Sequence, residues 1–538
     1  MIQIETIENF TGFGDKNSSG EYFHSENLVP GQFGLEANIK ITQESITSNT
    51  RFNWFTEYSA TPYGVDTTGR IFSRSSGTWT SARNPGSSSG NGLITDQKGR
   101  LLYARNQYLG MYDGSWSDSW KDMTTSSTEL KPMDLYEDWV VIGNVSNVAV
   151  LNTTDDSFSY NSLALPSGVI VKAVKSNQTG VLIGSNLGSR SFILLWDVRS
   201  PRSISEWLWF DSQIQSICKY GSRWIVTTQK QQFITDGYSV SPLPTFPDSL
   251  EQTLIYSCIA AGTMVIGDKL YTANTDQNLS LNRLKSGLWL QDLTNGQFTF
   301  VPVANSCESD MTMGALFHDS SFRNYVSYST NLPAGDFVGR IENATPTSVT
   351  LVTPRLGQGH NNKVAEGVKL DISPMSKISL IYSAGSFDVS LKIYNFKRQL
   401  WAYAVTDSAS SSANELEVNG TAAGRDNAKV GDEVTVLSGA NAGQVRHITA
   451  IANQNAAGEK WTLNSALPNN TESGAYLNVQ PFQLVKTKSV SISDLSELES
   501  VYFDIRNRIK GRKFLVKVVI SNISTISLAI PSLTFIYD

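Results

Sequence analysis

The chain has 538 residues, 40% hydrophobic and 17% charged, with a formal net charge of −6. Charge below the usual quarter of residues, with abundant Ser, Thr, Asn and Gly, suits exposed β-sheet faces rather than a helical enzyme. The acidic balance supplies no global field for nucleic acid. Three cysteines without a CxxC pair (Cys218, Cys258, Cys307) argue against a disulfide framework and fit a reduced compartment.

The first ten residues, Met-Ile-Gln-Ile-Glu-Thr-Ile-Glu-Asn-Phe, alternate and carry acids. A secretory signal needs basic residues and an apolar run there, so no leader is expected. No stretch approaches the roughly 18 apolar residues of a membrane span. Residues 1–50 read as an extended lead-in with short strands, weakly alternating over Ile39 to Ile46.

From 51 to 345 a phrase recurs about every 40 residues: apolar pair, short turn with Gly, apolar pair, aromatic. It reads Gly64-Val65-Asp66-Thr67-Thr68-Gly69-Arg70-Ile71-Phe72, closing on Trp79, and returns from Gly92 through Asp96, Gly99 and Arg100 to Tyr103, closing on Trp116. Strand-rich units follow around Trp139–Leu151, Gly180–Asp197, Ile214–Gly237, Met264–Phe300 and, least regularly, Gly314–Tyr328. Units this small cannot bury their own faces, so the spacing predicts a β-propeller of about seven blades. Trp residues near strand ends are expected to pack between blades.

After residue 346 the strands lengthen and alternate cleanly, as in Val368–Ile372, Ile378–Tyr382, Phe387–Tyr394, Val490–Ile492, Phe514–Ile520 and Ser532–Tyr537. One polar face per strand predicts a β-sandwich over 346–407 and 481–538. Between these halves, 408–480 reads as an inserted small β-barrel entered through the Ser/Ala run Ser408–Ala413. The expected fold is therefore all-β: propeller, sandwich and inserted barrel.

Residues for chemistry are sparse. His24, His318, His360 and His447 lack metal-ligand spacing, and no nucleophile elbow or phosphate loop occurs. Gly77-Thr78-Trp79 and Asp113-Gly114-Ser115-Trp116 faintly match the structural Asp-box turns of sialidase-like propellers. The acid pairs Asp155-Asp156 and Glu497 with Glu499 read as solvated turn residues rather than a glycosidase pair. No catalytic residue, cofactor or metal is assigned, and a non-enzymatic protein is expected. A basic cluster, Arg506, Arg508, Lys510, Arg512, Lys513 and Lys517, reads either as a charged guard on a sheet edge or as a contact to a neighbouring subunit or DNA. Tyr108, Tyr112, Trp116 and Trp120 are candidate glycan contacts, although blade packing also accounts for them.

Several phrases resemble tailed-bacteriophage virion proteins. Ile7-Glu8-Asn9-Phe10-Thr11-Gly12-Phe13-Gly14 and Asn27-Leu28-Val29-Pro30-Gly31-Gln32-Phe33 are similar to the opening of propeller-bearing phage tail and nozzle proteins. Val436-Leu437-Ser438-Gly439-Ala440-Asn441-Ala442-Gly443-Gln444-Val445-Arg446-His447-Ile448 resembles a Ser-Gly-x-x-Ala-Gly-Gln-x-Arg-x-Ile phrase of phage structural proteins. Ile509–Phe514 with Ser524–Leu533 resembles the closing hairpin of the nozzle type, except that Ser527-Leu528-Ala529-Ile530 replaces an aromatic-Arg-Leu-Gly step. The resemblance touches about a third of the residues. It implies a structural component of a phage tail, located in the virion. The expected partners are further copies in a cyclic homo-oligomer, other tail proteins, and DNA passing through the tail. The alternatives are a receptor-binding tail protein recognising cell-surface glycan and, third, a glycoside hydrolase.

Overall fold

A computed structural model describes residues 3–46, 51–86, 91–244, 256–275, 286–303, 311–352, 363–374, 385–394, 401–404, 414–419, 428–436, 441–469, 476–492, 499–523 and 528–537, apart from 9–11, 14–20, 23, 27, 32–33, 38, 295, 297, 302, 332–333, 345, 347, 442–443, 456–457, 481–482 and 512–513. Every regular element among them is a β-strand. Among the described residues no helix is long and apolar enough to cross a membrane.

The chain forms a seven-bladed propeller of four-stranded antiparallel sheets. Blade 1 runs from Phe52–Tyr58 inside to Thr78–Arg83 outside, and blade 2 from Gly92–Thr95 to Trp116–Asp122. Blade 3 spans Met133–Tyr136 to Phe158–Ala164, and blade 4 Ile170–Asn177 to Leu208–Phe210. Blade 5 spans Ile214–Tyr220 to Val240–Pro242, and blade 6 Thr263–Ile266 to Phe298–Val301. Blade 7 has three strands of its own: Met311–His318, Asn324–Asn331 and Ala334–Glu342. The seven innermost strands neighbour one another in chain order, and the last returns to the first.

What holds the ring is burial between blades, because a four-stranded sheet has two apolar faces and no second layer of its own. One core lies at every seam. Trp79 with Phe52 and Tyr325 fills the seam of blades 7 and 1, and Trp196 that of blades 3 and 4. Trp224 fills the seam of blades 4 and 5. Each fully buried large side chain contributes about 1.5–3 kcal/mol by area.

The sequence placed the lead-in outside the propeller, and the structure corrects this. Lys40–Ile46 is the fourth strand of blade 7, antiparallel to Ala334–Glu342 with Lys40 opposite Glu342. The end of that strand also pairs parallel with blade 1 at Thr78 and Trp79. Blade 7 lacks an outer strand of its own, so the N-terminal strand satisfies the open edge and closes the ring. Gln3–Glu8 pairs with the last strand, Leu528–Tyr537. His24–Glu26 sits between the outer strand of blade 6 and Ser348–Val352, joining blade and sandwich in one nine-stranded sheet.

The sandwich packs that sheet's Ser348–Val352, Leu515–Ser521, Gly385–Tyr394 and Gln483–Ile492 against a second sheet built on Glu499–Gly511, Lys363–Pro374 and Leu528–Tyr537. Alternate residues such as Val389, Leu391, Val501 and Phe503 meet in the shared core. The expected strand Ile378–Tyr382 lies outside the described residues. The inserted module is a six-stranded antiparallel sheet curled around Trp461. It starts earlier than expected, because Trp401–Ala404 pairs with Tyr476–Gln480 and supplies its first strand.

Candidate functional site

The repeated phrase of the sequence proves to be a five-residue turn, Asp-x-x-Gly-Arg. At Asp66–Arg70 and Asp96–Arg100, the Asp N–H donates to the Arg carbonyl at 3.0 and 2.9 Å, and the Gly N–H to the Asp carbonyl at 3.1 and 3.0 Å. The Asp carboxylates are buried and accept from the Arg N–H at 3.0 and 2.8 Å. The copies differ in phase. The first joins the second and third strands of blade 1, the second the first and second strands of blade 2, so they lie on opposite propeller faces.

A third copy escaped the sequence reading because its glycine is missing: Asp319-Ser320-Ser321-Phe322-Arg323 in blade 7. Its backbone bonds, both 3.0 Å, reproduce the other two. Asp319 accepts from the Arg323 N–H at 2.8 Å and from Arg323 Nε at 2.6 Å. Gly69 and Gly99 have φ of 83° and 73°, whereas Phe322 adopts 61° and stands 84% exposed. A bulky side chain at positive φ is a genuine outlier.

The Asp319 turn lies on the face that carries the first–second and third–fourth connections of every blade. Ser320 N–H donates to Glu57 at 2.8 Å, fixing this turn to the first hairpin of blade 1. That hairpin turns at Ser59 and Ala60, both at positive φ, and presents Tyr58 edge-on to Tyr63 with centroids 5.7 Å apart. Tyr112 of blade 2 lies 5.4 Å from Tyr58 and stacks at 4.3 Å on Trp116, its cross-strand partner. Beneath Trp116 lies buried Tyr103, whose ring occupies the space a side chain at Gly110 would need.

Polar groups border these rings. Arg83 Nε donates to Asp118 at 3.3 Å while its guanidinium lies 5.9 Å over Trp116. Tyr103 Oη also donates to Asp118. Burial would raise the Asp118 carboxyl, but the hydrogen bonds from Arg83 and Tyr103 outweigh it and hold it below the usual carboxylate range. Burial, then the neighbouring Tyr112 and Tyr58, pushes the Tyr63 phenol up. Half-buried rings and an ion pair thus stand together in an aromatic arc on this face; an ionised Asp118 cannot act as a general acid.

The structure splits the expected glycan contacts. Tyr112 and Trp116 belong to the arc. Tyr108 begins the third strand of blade 2, at the end away from Tyr112. Trp120 packs on the opposite sheet face, against the core of blades 2 and 3 and beneath Arg100 and Lys121. A register shift between Leu109 and Met111 separates it from Trp116.

The basic cluster is also divided. Arg506, Arg508 and Lys510 lie on Glu499–Gly511, the edge strand of the second sandwich sheet; Arg512 and Lys513 lie outside the described residues. Lys517 turns to the inserted module, where it and Lys392 both pair with buried Glu433, Lys517 at 3.0 Å. Burial would raise the Glu433 carboxyl, but Lys517 and Lys392 prevail and hold it far below its ordinary range. His447, opposite Glu433 on the next strand, is pushed down by burial and then by Lys392.

Other candidates are bound up in the fold. Asp156 is held by Arg100 at 2.9 Å and Lys98 at 3.2 Å, and Asp155 accepts from the Ser157 N–H, so both carboxyls fall below the usual range. Glu497 is outside the described residues, as are His360 and Cys307. His318 Nδ1 is 2.6 Å from Asn324 Oδ1. Cys218 and Cys258 are free, buried thiols pushed up by burial to about 12. No metal-binding group of His, Cys, Asp and Glu occurs among the described residues.

Fold and site together define a propeller-and-sandwich protein with an aromatic, hydrogen-bonding strip on one propeller face. No family model and no curated protein matches the chain. Among solved structures it is similar to the extracellular domain of BT4673 from B. thetaiotaomicron, at TM-score 0.42 and 10% identity, over 80% of this chain and 49% of that one. The chain thus spans about half that domain's length. It is also similar to the WD40 β-propeller domain of Doa1, at TM-score 0.39 and 13% identity, over 56% of this chain and 96% of that one.

Proposed function

We propose that this chain is a structural component of a bacteriophage tail, at the nozzle, tip or a tail-associated ring, assembling through symmetric contacts between copies around the tail axis. The observation that carries the reading is the path of the N-terminal segment. Gln3–Glu8 is paired into the sandwich, His24–Glu26 joins sandwich to blade 6, and Lys40–Ile46 closes blade 7. A strap paired into both large bodies suits a part that transmits load rather than one that opens around a substrate. The resemblance of the ends and the insert to phage virion proteins supports the same reading, and closed cyclic symmetry fits it. Cryo-electron microscopy of particles made with and without the gene tests it. Particles lacking the protein are expected to lose DNA or fail to deliver it; intact, infectious particles would remove the proposal.

The aromatic arc favours a second reading, recognition of cell-surface glycan. The stacked Tyr112–Trp116 pair beside Tyr58, Tyr63 and the Arg83–Asp118 pair combines flat apolar faces with donors and acceptors. That combination matches a sugar ring, apolar on its faces and polar at its rim. Binding of the purified protein to host surface polysaccharide tests this reading.

A further inference from the structure

We propose that Phe322 is the far end of an extended glycan site running over blades 7, 1 and 2, and that the ligand is a chain of several sugars rather than a terminal one; this rests on the glycan reading above. The argument is an internal comparison. Three turns share one hydrogen-bond frame, and two place glycine where the backbone turns left-handed. The third places phenylalanine there, almost fully solvent-exposed, with the His318 ring edge-on at 6.0 Å. Neither local conformation nor internal packing asks for an aromatic ring at that position. The turn is also rigid: Asp319 accepts from Ser321, Arg323 and Tyr325, and Ser320 is tied to Glu57.

Glu57 immediately precedes Tyr58, so this tie holds the Phe322 turn beside the hairpin that carries Tyr58, on the propeller face that also carries Tyr112 and Trp116. Rings on this face, bordered by the Arg83–Asp118 pair at one end and the Ser320–Glu57 tie at the other, offer a sugar chain apolar faces together with donors and acceptors. The surroundings favour glycan over protein. Exposed Ser320 and Ser321 and half-buried Arg323 flank Phe322 with polar groups, whereas a protein hot spot sits in a dry, fully packed patch. A free-standing ring on a rigid polar turn is a stacking platform.

The test titrates the full chain with fragments of two, four and eight sugars from host O-polysaccharide and capsule, comparing wild type with Phe322→Asn and Tyr63→Phe. Asn accepts the left-handed conformation, so Phe322→Asn is expected to fold, as a thermal melt would verify. Wild-type affinity should rise with length. Phe322→Asn should weaken the eight-sugar fragment about tenfold and leave the two-sugar fragment unchanged, whereas Tyr63→Phe should weaken all lengths. If Phe322→Asn binds every length as wild type does, the inference fails while the glycan reading stands. If wild type binds no fragment, the glycan reading falls and the inference with it. Loss of self-association or of a protein partner in Phe322→Asn, without change in sugar binding, would likewise overturn it.

Discussion

Arg74 clasps Glu44 with two hydrogen bonds, Nε to Oε2 at 2.9 Å and Nη2 to Oε1 at 2.6 Å, while Trp79 Nε1 donates to the same Oε2 at 2.9 Å. Glu44 belongs to the strand that completes blade 7; Arg74 and Trp79 belong to blade 1. This pair locks the first blade to the last, at the seam where a propeller must close. Both side chains are almost fully buried, so removing one partner leaves an uncompensated charge. Glu44→Gln should therefore lower the opening free energy of Lys40–Ile46 by about 3 kcal/mol. Native-state hydrogen exchange checks it; unchanged protection of that strand would show the clasp to be dispensable.

The junction of insert and sandwich should loosen in acid. His447 and Glu433 both have folded pKa values below their unfolded ones. The unfolded chain therefore binds more protons as pH falls, and stability falls with it. The His447 contribution is complete above about 6.5 and declines below it; that of Glu433 is complete above about 4.3 and is lost further into acid. The protection of the Glu433–Val436 amides, measured by hydrogen exchange and corrected for the intrinsic rate, should fall between pH 7 and 5 in wild type and much less in His447→Phe.

Lys131 makes the opposite point about a buried amine held by a neutral amide. Its Nζ donates to Asn144 Oδ1 at 2.7 Å, and burial, only partly offset by Glu129, lowers it to about 8. Below pH 8 both states are protonated and the full burial cost is present. Between about 8 and 10.4 the folded state sheds its proton first, so stability rises with pH. The rise is on the order of 3 kcal/mol, and Lys131→Met should abolish it. Denaturant titrations at pH 7.5 and 10.5 compare the two.

Phe322→Asn bears on stability as well as on binding. A left-handed backbone costs a bulky residue about 1–2 kcal/mol, which asparagine largely avoids. The variant should melt higher than wild type, by a degree or two in a chain of this length. A lower melting temperature would mean that Phe322 packs within its own chain.

The blades were legible because their signal is local. Five-residue apolar strands and Gly or Asp turns, as in Val140–Leu151 or Leu182–Trp196, depend on period and turn chemistry alone. The arc was legible only in part. Tyr112 and Trp116 were named, being neighbours across one hairpin. Tyr58, Tyr63 and Phe322 were not, because they come from blades 1 and 7. The Asp-x-x-x-Arg frame shared by Asp66, Asp96 and Asp319 is the sequence signal for Phe322, hidden because the third turn lacks the glycine of the other two.

From the residues alone follow the all-β class, about seven units, the sandwich and the inserted module, since each is written in short-range periodicity. Tertiary structure decided which open edges meet: Lys40–Ile46 with a strand some 300 residues later, and Lys517 with Glu433 rather than with solvent. A strand's pattern tells which face it buries but not whose backbone will pair with its edge. Hydrogen-bonding groups along every strand edge are alike, and only the closed ring selects among them.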